Sequence, residues 1–220
     1  MLDRLRRALF RRRRRNSPFP GSTEYWERRY RSGGTSGDGS YGELAEFKAE
    51  VINDFVSEHG IDTVVELGCG DGNQLGLLTI PEYFGYDISK TAVDMCKELY
   101  STDATKRFEH YAPAEYNGDS LAQLSLSLDI IFHLVEDDVF EHYMTNLFQM
   151  ASGWVIIYSS DSDERFGDGT EHCRNRRFTK WVSENIDGWE LARKVDNRFP
   201  ESSMSDFYFY RKTAVPSGPS

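Results

Sequence analysis

The sequence lacks the features that mark membrane-spanning, disulfide-bonded and zinc-stabilised proteins. None of its 220 residues lies in a run that approaches the roughly 20 apolar residues of a membrane-spanning helix. It has only three cysteines, Cys69, Cys96 and Cys173, and their odd number and wide spacing fit reduced thiols better than a disulfide framework. Close cysteine pairs are missing as well, so no metal ligands are predicted. These absences set aside secreted scaffolds, zinc modules and integral membrane proteins.

Outside one segment, acidic residues outnumber basic ones. Residues 1–15 hold eight arginines and one aspartate, whereas the whole chain carries a net charge of −10. The acidic remainder repels polyanions, so we expect no nucleic-acid partner. The arginine-rich arm is no secretory signal, because arginines occupy the place of the apolar region. We expect it either to contact an anionic membrane surface through its arginines and interspersed leucines or to be a disordered solubilising tail. The predicted location is cytoplasmic, with peripheral contact at the inner membrane face if the arm binds lipid.

The chain length and composition predict a single folded domain with appendages. Its 220 residues suffice for one sizeable core, and 14% aromatic residues argue against wholesale disorder. We assign residues 1–23 to a basic arm and linker, 24–212 to the domain, and 213–220 to a disordered tail.

Strand and helix patterns alternate along the predicted domain. Ser40 and Glu43 have the spacing of a capping box, and the helix behind them should end near Gly60. Residues 73–78 predict a short helix, and Ser89 can cap a helix whose apolar face extends to Leu99 and Tyr100. Two more helical stripes begin near residues 140 and 178. The predicted strands are 63–67, 83–86, 107–111, 128–134, 154–158, 189–195 and 207–211. This alternation predicts a mostly parallel sheet with helices on both faces.

The most informative segment is the loop after the first predicted strand, where Gly68, Gly70 and Gly72 stand at alternate positions. Such glycines permit a tight turn and let a ligand lie against bare backbone. The loop is not the dinucleotide fingerprint, because Asn73 stands where its third glycine would be. Glu66, two residues before the first glycine, would repel a pyrophosphate but favour a cation such as a sulfonium or an ammonium.

This segment resembles the first motif, E/D-x-G-x-G-x-G, of the class I, Rossmann-like S-adenosylmethionine-dependent methyltransferases. The resemblance covers roughly residues 24–212, with its specific motifs between 66 and 137. It implies an α/β fold: a doubly wound, mostly parallel seven-stranded sheet with an antiparallel C-terminal strand, in three α/β/α layers. It also implies S-adenosylmethionine as the cofactor and methyl transfer as the activity.

The resemblance assigns roles to individual residues. Asp87, at the end of the second strand, should bind the ribose hydroxyls, and Glu115 should meet the adenine. His133 should lie near the transferred methyl group; alternatively it is a buried, hydrogen-bonded histidine. The run from Tyr25 to Gly34 is similar to a segment that folds over the cofactor in several small-molecule methyltransferases, and its alternative is an amphipathic helix on the sheet. The expected cofactor-binding set is Trp26, Tyr30, Glu66, Gly68, Cys69, Gly70, Gly72, Asp87, Ile88, Glu115 and His133.

The acceptor is expected to meet the loop at residues 159–177, which shows no periodicity and is rich in charge. A loop of this length in a compact domain is often a lid or a binding element, although a solvated surface is the alternative. Arg174, Arg177 and Asp161 are candidate acceptor contacts, and His133 and His172 are candidate bases. We predict a small-molecule or glycan-type acceptor, methylated on oxygen or nitrogen.

Two other functions stay open. One is a catalytically silent cofactor-binding protein that docks to a membrane or partner through its arm. The other is an NAD-dependent oxidoreductase, which Glu66 and Asn73 disfavour.

Overall fold

The computed structural model describes residues 19–116, 121–165 and 170–213. Seven strands form one sheet: β1 (Thr63–Leu67), β2 (Glu82–Asp87), β3 (Lys106–His110), β4 (Ala122–Leu128), β5 (Ala151–Ser159), β6 (Trp189–Val195) and β7 (Asp206–Lys212). Their order is β3-β2-β1-β4-β5-β7-β6. Neighbours pair in parallel except at β7, which is antiparallel to both β5 and β6. The predicted sheet with its antiparallel C-terminal strand is confirmed.

Five helices flank the sheet in the described residues: α1 (Ser22–Arg31), α2 (Gly42–His59), α3 (Lys90–Leu99), α4 (Asp137–Gln149) and α5 (Phe178–Asn185). One apolar core joins α2 and α3 to one face of the sheet, and a second joins α4 and α5 to the other face. Within β5, Ile156 belongs to the first core and Val155 to the second, as strand alternation requires. The three-layer α/β/α arrangement is therefore confirmed.

The two terminal segments predicted from the sequence, 1–23 and 213–220, lie largely outside the described residues. The arm at 1–15 and residues 214–220 lie outside the described part of the chain. The first described helix begins at Ser22, inside the segment predicted as a linker. No helix in the described ranges is long and apolar enough to cross a membrane.

The strand predicted at 128–134 is wrong. The strand β4 ends at Leu128, and the following residues form a loop with a single 3₁₀ turn at Ile131–His133. Asp129 has a φ of 58°, a left-handed conformation that ends the strand. The true strand alternates leucine with serine. The Ser125 hydroxyl donates to the Leu147 carbonyl at 2.7 Å, and the Ser127 hydroxyl accepts from the Tyr143 hydroxyl at 2.8 Å. Both serines are buried because α4 supplies these partners.

Three further local predictions are corrected. The helix α2 begins at Gly42 without a side-chain cap, so Ser40 and Glu43 form no capping box; instead the Ser40 carbonyl accepts a hydrogen bond from Asn73. The predicted helix at 73–78 is a 3₁₀ turn at Leu75–Leu77. Leu99 is 61% exposed and does not belong to the buried face of α3.

Two predicted helix ends are confirmed. The Ser89 hydroxyl accepts a hydrogen bond from the Ala92 amide and caps α3. Gly60 ends α2 with a φ of 60°.

Candidate active site

A cavity of about 430 Å³ lies at the carboxyl ends of β1, β2 and β4. Gly68, Asp87 and Asp129, which follow or end these strands, all line it. The order of the sheet reverses between β1 and β4, and ligands of open α/β sheets bind at that position. The volume lies within the roughly 300–1,000 Å³ typical of small-molecule sites. The cavity is therefore the candidate site.

The glycine loop after β1 forms the floor of this cavity. Gly68 and Gly70 have φ values of 89° and 58°, which residues with side chains rarely adopt. A side chain at Gly68 would collide with Ile130, and one at Gly70 would collide with Ser36. The Gly68 amide donates to the Tyr86 carbonyl at 2.7 Å, which holds the floor against β2. Glycine is favoured here because the backbone conformation and the neighbouring side chains of Ile130 and Ser36 both disfavour a Cβ.

Two buried carboxyl groups line the cavity beside the glycine loop. Asp87 accepts hydrogen bonds from the amides of Gly70 at 2.9 Å and Ser89 at 2.8 Å. Burial raises the pKa of Asp87 to about 6, against the lowering effect of these two amides. Glu66 accepts a hydrogen bond from the Tyr83 hydroxyl at 2.6 Å. Burial raises its pKa to about 7, so a cationic ligand would favour its charged form.

Gln74 presents an unpaired acceptor at the same cavity. Its side chain is buried, and its amide nitrogen donates to the Ala45 carbonyl at 3.0 Å. Among the described residues, the side-chain oxygen has no hydrogen-bond partner. A buried acceptor without a partner costs free energy, which a ligand N–H or O–H would recover. This oxygen fits the site of a polar ligand, although Gln74 was not predicted from the sequence.

The wall of the cavity formed by α2 and the loop after β4 contains a buried network that was not predicted from the sequence either. Lys48 on α2 is fully buried, and its Nζ lies 2.8 Å from Asp129 Oδ2. The other Asp129 oxygen accepts from the Ser205 hydroxyl at 2.9 Å. Asp129 is the single non-glycine residue with positive φ in the described ranges, and such strain is typical of functional sites. A signal for Lys48 existed, because it interrupts the apolar stripe of α2 between Leu44 and Ile52.

The helix α1 covers the cavity and is tied down at two places. The Ser22 amide and hydroxyl donate to the Glu136 carboxylate at 2.8 and 2.6 Å. Nearer the middle of α1, the Glu27 carboxylate accepts from the hydroxyls of Ser89 and Thr91, both at 2.7 Å, and these bonds lower its pKa. Trp26 and Tyr30 of this helix both line the cavity.

The two predicted bases lie at different depths. His133 lines the cavity, and its Nδ1 lies 3.2 Å from the His172 carbonyl. Burial lowers the pKa of His133 to about 4, so its ring is neutral at pH 7. His172 lies outside the cavity lining and stacks on Tyr25 with ring centres 4.7 Å apart. Burial lowers its pKa too.

The three predicted acceptor contacts do not line the cavity. Arg174 pairs with Asp137 at 3.0 Å, and Arg177 lies 3.6 Å from Asp163. The Asp161 carboxylate accepts from the amide and hydroxyl of Thr179, at the start of α5. All three side chains make intramolecular contacts instead.

The structure thus brings most of the predicted cofactor residues together. Those that line the cavity are Trp26, Tyr30, Glu66, Gly68, Cys69, Gly70, Asp87, Ile88 and His133. Gly72 and Glu115 do not line it: the Gly72 carbonyl accepts from the Tyr100 hydroxyl, and Glu115 is exposed in the 3₁₀ turn Pro113–Glu115.

Comparison with known proteins relates this architecture to solved structures. No protein-family model matches the sequence, and no curated protein matches it. The N-methyltransferase NodS from Bradyrhizobium japonicum WM9, in complex with S-adenosylhomocysteine, is similar with a TM-score of 0.66 and 11% identity, over 88% of this chain and 100% of that chain. The 1,6-didemethyltoxoflavin-N1-methyltransferase from Burkholderia thailandensis gives 0.66 and 16% identity, over 90% and 93% of the two chains. Magnesium protoporphyrin IX methyltransferase from Synechocystis PCC 6803 gives 0.62 and 17%, over 87% and 98%.

The chain therefore has the class I, Rossmann-like fold of S-adenosylmethionine-dependent methyltransferases. The resemblance seen in the glycine motif is confirmed at the level of the fold.

Proposed function

We propose that this protein is an S-adenosylmethionine-dependent methyltransferase that acts on a small-molecule or glycan-type acceptor. The observation that carries the proposal is the position of Glu66 and Asp87, two buried carboxyl groups beside the bare backbone of Gly68 and Gly70 in one cavity. The three similar structures support it, because each is a methyltransferase bound to S-adenosylhomocysteine.

The residues present fit this cofactor. Asp87 would accept hydrogen bonds from the ribose hydroxyls of the cofactor. Glu66 and the unpaired oxygen of Gln74 would accept hydrogen bonds from its ammonium group. Trp26 and Tyr30 present aromatic surface, which attracts cations, over the same space. When bound, S-adenosylmethionine supplies a methyl group on a positively charged sulfur, open to in-line displacement by the acceptor.

The acceptor would lie on the side of Asp129, Lys48 and Ser205, where the cavity wall is polar. A base is needed only for hydroxyl or ammonium acceptors. His133 is the candidate base because it lines the cavity, and His172 supports it through its carbonyl.

Arg174, Arg177 and Asp161 have a different place in this proposal. Their contacts hold the described residues 159–165 and 170–177 in position, so they would shape the acceptor end without touching the acceptor.

Calorimetry with S-adenosylhomocysteine and with NAD tests the cofactor. We expect one equivalent of S-adenosylhomocysteine to bind and NAD not to bind. The Asp87→Ala variant should lose this binding, whereas Asp54→Ala, at an exposed position on α2, should keep it. NAD binding without S-adenosylhomocysteine binding would instead support an oxidoreductase.

Methyl transfer requires a separate experiment. The protein is incubated with a cell extract and S-adenosylmethionine labelled in its methyl group, and labelled small molecules are identified by mass spectrometry. Transfer that is absent without the protein is the expected result. Tight cofactor binding with no labelled product would support a catalytically silent binding protein.

A further inference from the structure

Three potential metal ligands meet beside the cavity. His133, His172 and Cys173 each offer one ligand atom, and these atoms lie within 4.8 Å of one another. The Cys173 sulfur lies 3.5 Å from Nδ1 of His133. In a tetrahedral zinc site, Zn–S and Zn–N bonds separate sulfur from nitrogen by about 3.6 Å. The cysteine and this nitrogen are therefore already at the distance that a shared ion requires.

A backbone hydrogen bond and a ring contact hold these ligands in position. The Arg174 amide donates to the Phe132 carbonyl at 2.7 Å, which joins the cysteine segment to the turn that carries His133. The His172 ring is held by its stacking on Tyr25 and lies nearly parallel to His133, with ring centres 5.7 Å apart. Closing the cluster around an ion therefore requires the side chains to rotate, because the two imidazole rings now lie nearly parallel.

We propose that His133, His172 and Cys173 bind one divalent ion of the zinc type. Two imidazoles and a thiolate are donors that select zinc over magnesium or calcium, and their single negative charge partly balances the ion. On binding, the Cys173 thiol releases its proton to solvent. The hydrogen bond between Nδ1 of His133 and the His172 carbonyl, at 3.2 Å, is exchanged for the bond to the metal.

The position of this site indicates its use. Three protein ligands with one open position are the arrangement of catalytic zinc sites. His133 belongs to both the cluster and the cavity wall, so the ion would lie beside the acceptor. This role rests on the proposed function: a hydroxyl or thiol acceptor bound to the ion would lose its proton near neutral pH. A metal-bound acceptor and a histidine base can be distinguished at Cys173, because only the metal site requires its thiol.

Titration with cobalt(II) alone tests the site in the full-length, metal-stripped protein. We expect one equivalent to bind, with a thiolate-to-cobalt charge-transfer band and the visible bands of a tetrahedral complex, and zinc to displace it. Cys173→Ser should abolish the charge-transfer band. His172→Gln should weaken cobalt binding at least about tenfold, because even residues that only hydrogen-bond to metal ligands typically contribute that much to metal affinity. His142→Ala, an exposed histidine on α4, should change neither.

The proposal is overturned if the wild-type protein shows no charge-transfer band, or if the band survives in Cys173→Ser. If Cys173→Ser does not fold, unchanged cobalt affinity in His172→Gln would overturn it equally. Calorimetry with S-adenosylhomocysteine on the same samples separates the two proposals. Cobalt binding without S-adenosylhomocysteine binding refutes only the methyltransferase, and the reverse result refutes only the metal site.

Discussion

The floor and the cover of the cavity are held by different kinds of contact. In the floor, the backbone amides of Gly68 and Gly70 donate to the Tyr86 carbonyl and the buried Asp87 carboxylate. In the cover, α1 is attached by side chains, such as Ser22 to Glu136 and Glu27 to Ser89. A floor of left-handed glycines is destabilised by an added side chain. A cover held by single side-chain contacts of about 0.5–1.5 kcal/mol each can loosen without unfolding the domain.

Substitution of Gly70 by alanine in the floor should have the largest effect on ligand binding. Its φ of 58° costs an alanine about 1–2 kcal/mol, and the new Cβ would collide with Ser36. We expect the affinity for S-adenosylhomocysteine, measured by calorimetry, to fall at least about 100-fold, or roughly 2.8 kcal/mol.

Gly188→Ala is the matched control for that substitution. Gly188 has a φ of 78° and no atom within 4 Å of an added Cβ, and it does not line the cavity. This variant should lose about 1–2 kcal/mol of stability and keep its cofactor affinity. Equal affinities of the two variants would show that the floor is not a binding surface.

Glu66→Gln tests the burial of charge in the floor. Burial raises the Glu66 pKa from 4.5 to about 7, so the folded chain keeps a proton that the unfolded chain loses in this interval. The contribution of Glu66 to stability is thus fully present below pH 4.5 and is lost as the pH rises through 7. The variant, whose amide oxygen can still accept from Tyr83, should gain stability relative to wild type between pH 5 and 8, by up to roughly 3 kcal/mol.

Urea unfolding of both proteins at several pH values measures this difference. Other buried groups titrate in both chains, so the comparison isolates Glu66. A difference that stays constant with pH would contradict the predicted proton uptake.

Glu136→Gln tests the cover. This change weakens the bonds from the Ser22 amide and hydroxyl, at a cost of about 1 kcal/mol. We expect stopped-flow measurements to show that S-adenosylhomocysteine dissociates about fivefold faster, while the protein stays folded. Glu141→Gln, an exposed position on α4, should leave the rate unchanged. If both variants release the ligand at the wild-type rate, α1 does not retain it.

Deletion of residues 1–15 should have the smallest effect on the site. We propose that this arginine-rich arm contacts anionic membranes, with about 1 kcal/mol contributed by each arginine near the surface. The truncated protein should keep its cofactor affinity but bind phosphatidylserine vesicles more weakly, with phosphatidylcholine vesicles as the control. Unchanged vesicle binding would refute a membrane role for the arm.

The sequence pattern predicted the sheet and the floor better than the walls. Residues 128–134 form a nearly continuous apolar run and imitate a buried strand, so β4 was placed too late. The real strand contains Ser125 and Ser127, whose burial depends on partners on α4. No local pattern records such partners. His133 was consequently predicted at a strand end but lies in a 3₁₀ turn.

The sequence by itself determined the glycine loop with Glu66 before it, because a left-handed turn follows from neighbouring residues, and the family resemblance singled out Asp87. Only the tertiary structure decided that Lys48 meets Asp129, 81 positions away, and that His133 meets Cys173 across 40 positions. These contacts depend on how helices and loops pack over the sheet. Spacing along the chain carries no record of that packing.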